Sequence, residues 1–116
     1  MTTTTATFFD EWPATMEKMK AEAPDVVRAF GPGAPGFQII MKDGALSVRE
    51  KELIALGIGL AVRCNSCISM HVEKCLKAGA TREQVLEAAG VAVVMQGGPT
   101  FTYVPEVIKA LEYLEH

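Results

Sequence analysis

The chain has 116 residues, the length of one modest domain, and a formal net charge of −3 with scattered basic residues. A nucleic-acid-binding protein is therefore not expected, because such proteins cluster their basic residues in a patch. Hydrophobic residues make up 49% of the chain, more than so small a monomer readily buries, so we expect a homo-oligomer. No signal-peptide pattern follows Met1, and the longest apolar run, 53–62, is too short to span a bilayer. We therefore expect a cytoplasmic protein that does not bind a membrane.

Helix signals run along most of the chain. Residues 1–7 are polar and repetitive and are expected to form a flexible tail before a single domain, 8–116. Capping-box patterns at 47–50 and 81–84 mark two helix starts. No segment alternates polar and apolar residues as a strand would, so we predict an all-α domain of about six helices. The predicted helical stretches are Phe8–Glu22, about 24–30, Phe37–Lys42, Val48–Arg63, from the cysteines to about Lys77, from Thr81 to about Gln96, and Phe101–Leu114.

The most informative local feature is the pair Cys64 and Cys67, with His71 four residues later. Two thiols at CxxC spacing can form a disulfide and reopen, which transfers two electrons. At about 100° per residue on a helix, both cysteines and His71 fall on one face, where the imidazole could accept a thiol proton. The helix N-terminus would also favour a thiolate. Glu52, on the preceding predicted helix, is the candidate partner that orients His71.

Other interpretations of these residues remain open. Cys64, Cys67, His71 and Glu52 could together bind zinc, or the two thiols could be inert. A lone histidine on an apolar helix face is more often a packed core residue, and Glu52 could be a solvated residue of a first helical turn. Cys75 is expected to be a small buried hydrophobe. Haem attachment is excluded because no histidine directly follows the second cysteine.

The surrounding sequence resembles the alkyl hydroperoxidase D-like branch of the carboxymuconolactone decarboxylase family. The family pattern is a glutamate, eleven residues, C-x-x-C, three residues and a histidine. It falls on Glu52, Cys64, Cys67 and His71 with every spacing kept. Alkyl hydroperoxidase D itself has a histidine between the cysteines, where this chain has Ser66. Four further segments also resemble the family, namely 44–47, 52–56, 78–81 and 95–99.

The resemblance implies an all-α fold that assembles as trimers or hexamers. It also implies thiol-dependent reduction of a hydroperoxide, without a bound flavin, haem or metal. By this resemblance, Glu52 orients His71 and favours its charged form, and His71 deprotonates Cys67. Cys67 then attacks the peroxide and becomes a sulfenic acid, with which Cys64 condenses to form the disulfide. An external dithiol donor, a lipoyl group or a thioredoxin-like protein, would reopen it.

Two rival functions remain, the first implied by the resemblance and the second by the residues themselves. A carboxymuconolactone decarboxylase-like enzyme would perform lactone chemistry without needing a cysteine pair, so the intact CxxC favours the peroxidase. A non-catalytic oligomeric module would use its thiols structurally or to bind zinc.

Overall fold

The computed structural model describes residues 5–31 and 33–115, and within these residues all regular structure is helical. The all-α prediction is therefore confirmed. The described residues form eight helical segments, one of them only four residues long: α1 (Thr5–Glu22), α2 (Pro24–Phe30), α3 (Pro35–Met41), α4 (Val48–Ala61), α5 (Asn65–Lys77), α6 (Arg82–Gln96), α7 (Gly98–Phe101) and α8 (Val104–Leu114).

Helix boundaries differ from the prediction where single residues control the backbone. The first helix begins at Thr5 rather than Phe8, and 1–4 lie outside the described residues. The fourth ends before Arg63, whose φ of 57° is left-handed and turns the chain towards α5. The predicted last helix, Phe101–Leu114, is observed as α8 from Val104, and its first residue instead ends the short α7 (Gly98–Phe101). Pro105, near the start of α8, has no N–H to bond back to the preceding turn, which accounts for the break.

Both predicted capping boxes are present. The Glu50 N–H donates to Ser47 Oγ at 3.1 Å, and the Ser47 N–H donates to Glu50 Oε1 at 2.8 Å. The Ser47 backbone N–H, with a further contribution from the Ser47 hydroxyl, stabilises the ionised carboxylate and so lowers the pKa of Glu50. Thr81 and Gln84 make the same reciprocal pair at the start of α6. Local sequence thus determines where two of the main helices begin.

The hydrophobic core lies between α4, α5, α6 and α8. The fourth helix packs against α5 and α6, and α8 packs against α5. The larger buried side chains of this core are Leu56, Leu60, Ile68, Val72, Val85, Val107 and Leu111. Each such side chain contributes about 1.5–3 kcal/mol by leaving water, so these four helices form the stable frame of the domain.

The first three helices form an outer layer on this frame, called here the N-terminal layer (α1–α3). Neither α2 nor α3 contains a fully buried residue. The first helix is attached to α8 by the Tyr113 hydroxyl, which donates to Asp10 Oδ1 at 2.7 Å, and by the stacked rings of Phe9 and Tyr113. Lys51 Nζ donates to the carbonyls of Ile40 and Lys42, both at 2.6 Å, which joins the end of α3 to α4. Across the described ranges, no helix combines the length and apolarity needed to cross a membrane.

Candidate active site

The two cysteines of the CxxC motif lie where α5 begins. Cys64 is the N-cap of α5 and Cys67 is in its first turn. They are joined in a disulfide, with Cα atoms 5.2 Å apart. The Cys67 N–H also points at Cys64 Sγ, 3.2 Å away. After reduction, this N–H and the positive end of the helix dipole would both favour a thiolate at the start of α5.

Glu52 and His71, nineteen residues apart in sequence, meet between α4 and α5. His71 Nδ1 lies 2.8 Å from Glu52 Oε1. The side chains are only 16% and 7% exposed for His71 and Glu52, respectively. With Glu52 ionised, Nδ1 carries the proton and donates to the carboxylate, which leaves Nε2 as the acceptor nitrogen. A buried carboxylate without such a partner would be strongly unfavourable, so each residue accounts for the position of the other.

The imidazole lies on the same side of α5 as Cys67. His71 follows Cys67 by four residues, about 6 Å along the helix axis, so their side chains share a face. Within the described residues, His71 Nε2 makes no hydrogen bond, whereas Nδ1 is held by Glu52. The structure therefore brings together the four residues singled out in the sequence. Glu52 of α4 contacts His71 directly, Cys64 is bonded to Cys67, and His71 lies one turn of α5 beyond Cys67.

Gly59 also shapes the site at the cysteine pair, although it was not among the residues predicted from the sequence. A Cβ added at Gly59 would lie 3.1 Å from Cys67 Cβ, closer than ordinary packing allows. The Gly59 carbonyl also accepts the Cys64 N–H at 3.1 Å. The absent side chain thus lets α4 approach the cysteine pair directly. The available signal was a glycine in the middle of an apolar helix, and Gly57 of the same helix gives that signal while a Cβ there would meet no atom within 4 Å.

Cys75 is separate from this chemistry. It is fully buried in the core, as expected for a small hydrophobe. Burial, with a further contribution from the negative charge of Glu52, raises the pKa of the Cys75 thiol to about 12. Cys75 therefore stays a protonated thiol at neutral pH. It is unreactive in this form, because the thiolate is the nucleophile.

The zinc interpretation needs several ligands close together. Within residues 5–31 and 33–115, no group of three or more histidine, cysteine, aspartate or glutamate side chains is arranged to hold a metal ion. In the state shown, the sulfurs of Cys64 and Cys67 are bonded to each other. The geometry present at the two cysteines is that of a disulfide.

The structure is that of a small helical protein with a CxxC disulfide at a helix N-terminus, next to a glutamate–histidine pair that is mostly shielded from solvent. Residues 36–110 match the sequence model of the carboxymuconolactone decarboxylase family. This match covers more than half of the chain, and the chain belongs to the carboxymuconolactone decarboxylase family.

Similar proteins agree with this assignment. A carboxymuconolactone decarboxylase family protein of Legionella pneumophila, solved as its apo form, superimposes with a TM-score of 0.86 at 34% identity, over 97% of each chain. A Thermotoga maritima family member, for which a role in the antioxidative response has been suggested, gives a TM-score of 0.63 at 31% identity, over 66% of this chain and 79% of the other. An uncharacterized protein of Cupriavidus necator is 34% identical over 84% of this chain and 93% of its own length.

Proposed function

We propose that this protein is a thiol-dependent hydroperoxide reductase of the alkyl hydroperoxidase D-like type that acts in the cytoplasm. The observation that carries the proposal is the Glu52–His71 contact on the same face of α5 as the Cys64–Cys67 disulfide. The antioxidative role suggested for the Thermotoga relative supports the same chemistry.

The first step begins from the reduced protein. His71 Nε2 accepts the proton of Cys67, and Glu52 stabilises the imidazolium that results. The Cys67 thiolate attacks the terminal oxygen of the hydroperoxide, so that an S–O bond forms and the O–O bond breaks. The imidazolium returns the proton to the departing alkoxide, which leaves as an alcohol. Cys67 has then been oxidised to a sulfenic acid.

The second step uses the neighbouring cysteine. The Cys64 thiol attacks the sulfur of the Cys67 sulfenic acid, the S–S bond forms, and the oxygen leaves as water with the Cys64 proton. The Cys64–Cys67 disulfide supports this step, because it is the bond that the step would form. An external dithiol, such as a lipoyl group or a thioredoxin-like protein, reduces the disulfide by exchange and is itself oxidised. The chain's own residues therefore need no bound cofactor for this cycle.

The protein is further proposed to act as a homo-oligomer, a trimer or hexamer. Its support is an exposed apolar face on α4 and α6, where Ile58 is 61% and Met95 is 77% exposed. Side chains of both helices line an apolar groove of about 430 Å³ on this face. Such a surface is unusual for a monomer. Light scattering on the purified protein would measure its mass, and a monomeric mass at micromolar concentration would contradict this part of the proposal.

The decisive experiment is peroxide consumption with dihydrolipoamide as the reductant. Cys67→Ser is expected to abolish turnover because serine cannot form the sulfenic acid or the disulfide. Cys75→Ala is the matched control, since it removes a thiol that is buried and outside the site. Appreciable turnover by both Cys67→Ser and Cys64→Ser would overturn the proposal. No turnover by wild-type protein that still cycles between dithiol and disulfide would identify a disulfide-exchange protein instead.

A further inference from the structure

A second apolar cavity lies between the N-terminal layer and α5. Its volume is about 220 Å³, below the usual range of about 300–1,000 Å³ for pockets that hold drug-sized ligands. Aromatic rings and flexible thioethers dominate its walls, which suits an apolar ligand of variable shape. The principal lining residues are Trp12, Met16, Met19, Phe30, Phe37 and Met70.

Lys74 is the single charged residue that lines this cavity. Its Nζ lies 5.5 Å from the centre of the Phe37 ring, and Lys74 makes no ion pair with any described residue. The next lysine of α5, Lys77, instead pairs with Glu73 at 3.8 Å. The cavity thus has an apolar interior and one cation at its edge that is free to bind an anion.

The cavity adjoins the redox site. A neighbouring surface cleft shares Phe37 and Lys74 with it and extends to Glu52, whose carboxylate is already bound to His71. Met70 and Lys74 follow Cys67 by three and seven residues, so all three lie on the face of α5 that carries His71. Lys74 is about 10 Å from Cys67 along the helix axis. A molecule that is held by Lys74 and follows this face of α5 towards its N-terminus would pass Met70 and reach the cysteine pair.

We propose that this cavity binds a small monocarboxylate with an apolar body, and that the preferred substrate is the hydroperoxide of such an acid. One lysine matches one negative charge, and the walls exclude a ligand that is polar along its length. The small volume favours a short acid over a long-chain lipid. The substrate preference rests on the proposed function, whereas carboxylate binding in the cavity does not depend on it. The chemical step is the one given above, with a hydroxy acid as the alcohol released.

Trp12 allows binding to be measured without any assay of activity. It is the single tryptophan of the chain and lines the cavity, so intrinsic fluorescence reports occupancy. Octanoate and octanol, which share an alkyl chain, would be titrated into the wild type, Lys74→Gln, Lys74→Arg and the control Lys77→Gln. The ratio of octanoate to octanol affinity is expected to fall about fivefold in Lys74→Gln, the size of a modest ion pair. It should be kept in Lys74→Arg and Lys77→Gln.

Two binding results would overturn the inference. One is the absence of a saturable fluorescence change with octanoate. The other is an octanoate-to-octanol ratio that is the same in Lys74→Gln as in Lys77→Gln, because the lysine at the cavity would then contribute nothing. Circular dichroism of each variant checks that the helices are intact.

Turnover with 8-hydroperoxyoctanoate and with its methyl ester tests the substrate. The ratio of their kcat/KM values is expected to favour the acid by about fivefold and to approach one in Lys74→Gln. Equal turnover of acid and ester by the wild type would overturn the substrate assignment and leave the peroxidase proposal standing. A different result would be octanoate binding with no turnover of hydrogen peroxide, the acid or the ester. This result would refute the peroxidase proposal and the substrate assignment that rests on it. The proposal of a carboxylate-binding cavity would remain supported.

Discussion

The core helices and the N-terminal layer of this molecule are built in different ways. The core, α4 to α6 with α8, contains fully buried side chains such as Leu60, Val72 and Leu111. In the N-terminal layer, α2 and α3 bury no residue completely, and α1 buries Thr5 and Phe8. The family match begins at residue 36, within α3, and so leaves most of the layer outside it. The difference indicates that the core maintains the fold and the layer covers one side of it.

The residues of the proposed redox site and the cavity at Lys74 divide along the same line. Glu52, Cys64, Cys67 and His71 all belong to α4, α5 or the turn between them. The cavity at Lys74 instead takes most of its walls from the layer. The proposed chemistry is therefore placed on the core helices, where distances are held by packing. The proposed choice of ligand depends on the layer, which has fewer buried contacts and can change with less cost to stability.

The largest effect on stability is expected from a truncation in the core. Leu60→Ala removes a side chain with 0% exposure, whereas Ile39→Ala in α3 removes one that is 64% exposed. Leu60→Ala should lower the free energy of unfolding by about 2–5 kcal/mol because it loses apolar burial and leaves a cavity. Ile39→Ala should change it by about 0.5 kcal/mol or less. Urea denaturation at one fixed protein concentration measures both, and equal losses would contradict the division into core and layer.

The second prediction concerns the rate of peroxide reduction and the role of Glu52 in it. Glu52→Gln keeps the size of the side chain but removes the negative charge that stabilises a protonated His71. We expect kcat for peroxide reduction to fall about 100-fold, equivalent to about 2.7 kcal/mol. The control is Glu73→Gln on α5, where the carboxylate contacts Lys77 at 3.8 Å near the surface. Rates measured across pH separate the two explanations: loss of a proton relay changes the shape of the profile, whereas misfolding lowers it uniformly.

Stability of the variant must be measured alongside its activity. If Glu52→Gln retained at least half of the wild-type kcat in a folded protein, the contact at 2.8 Å would be structural only. The core would then hold the cysteine pair without assisting its chemistry.

Sequence patterns predicted the features that depend on a few neighbouring residues. The capping boxes at Ser47 and Thr81 gave the starts of α4 and α6, because a cap is made within one helical turn. The Glu52–His71 contact spans nineteen residues, and it was expected from the cost of burying a carboxylate alone and from the family resemblance. The cavity next to Lys74 could not be predicted, since it depends on how α1, α2 and α3 pack against α5.

The smallest of the expected effects tests how closely α4 approaches the redox pair. Gly59→Ala would place a Cβ 3.1 Å from Cys67 Cβ, an atom that the backbone and the disulfide both hold in place. Gly90→Ala, inside α6, meets no atom within 4 Å and serves as the control. Alanine favours a helix by about 1 kcal/mol over glycine, so Gly90→Ala should stabilise the protein.

Gly59→Ala gains the same helix preference but must push α5 away from α4. Overpacking of this kind costs about 1–3 kcal/mol, so the net change should be a loss of about 1 kcal/mol. The loss should be greater in oxidised than in reduced protein, because breaking the disulfide lets the first turn of α5 shift. Urea denaturation of both redox states measures this difference. Equal stabilisation by Gly59→Ala and Gly90→Ala would mean that α4 and α5 can separate enough to accommodate a methyl group beside the cysteine pair. The core would then be deformable at this point, and not only the N-terminal layer.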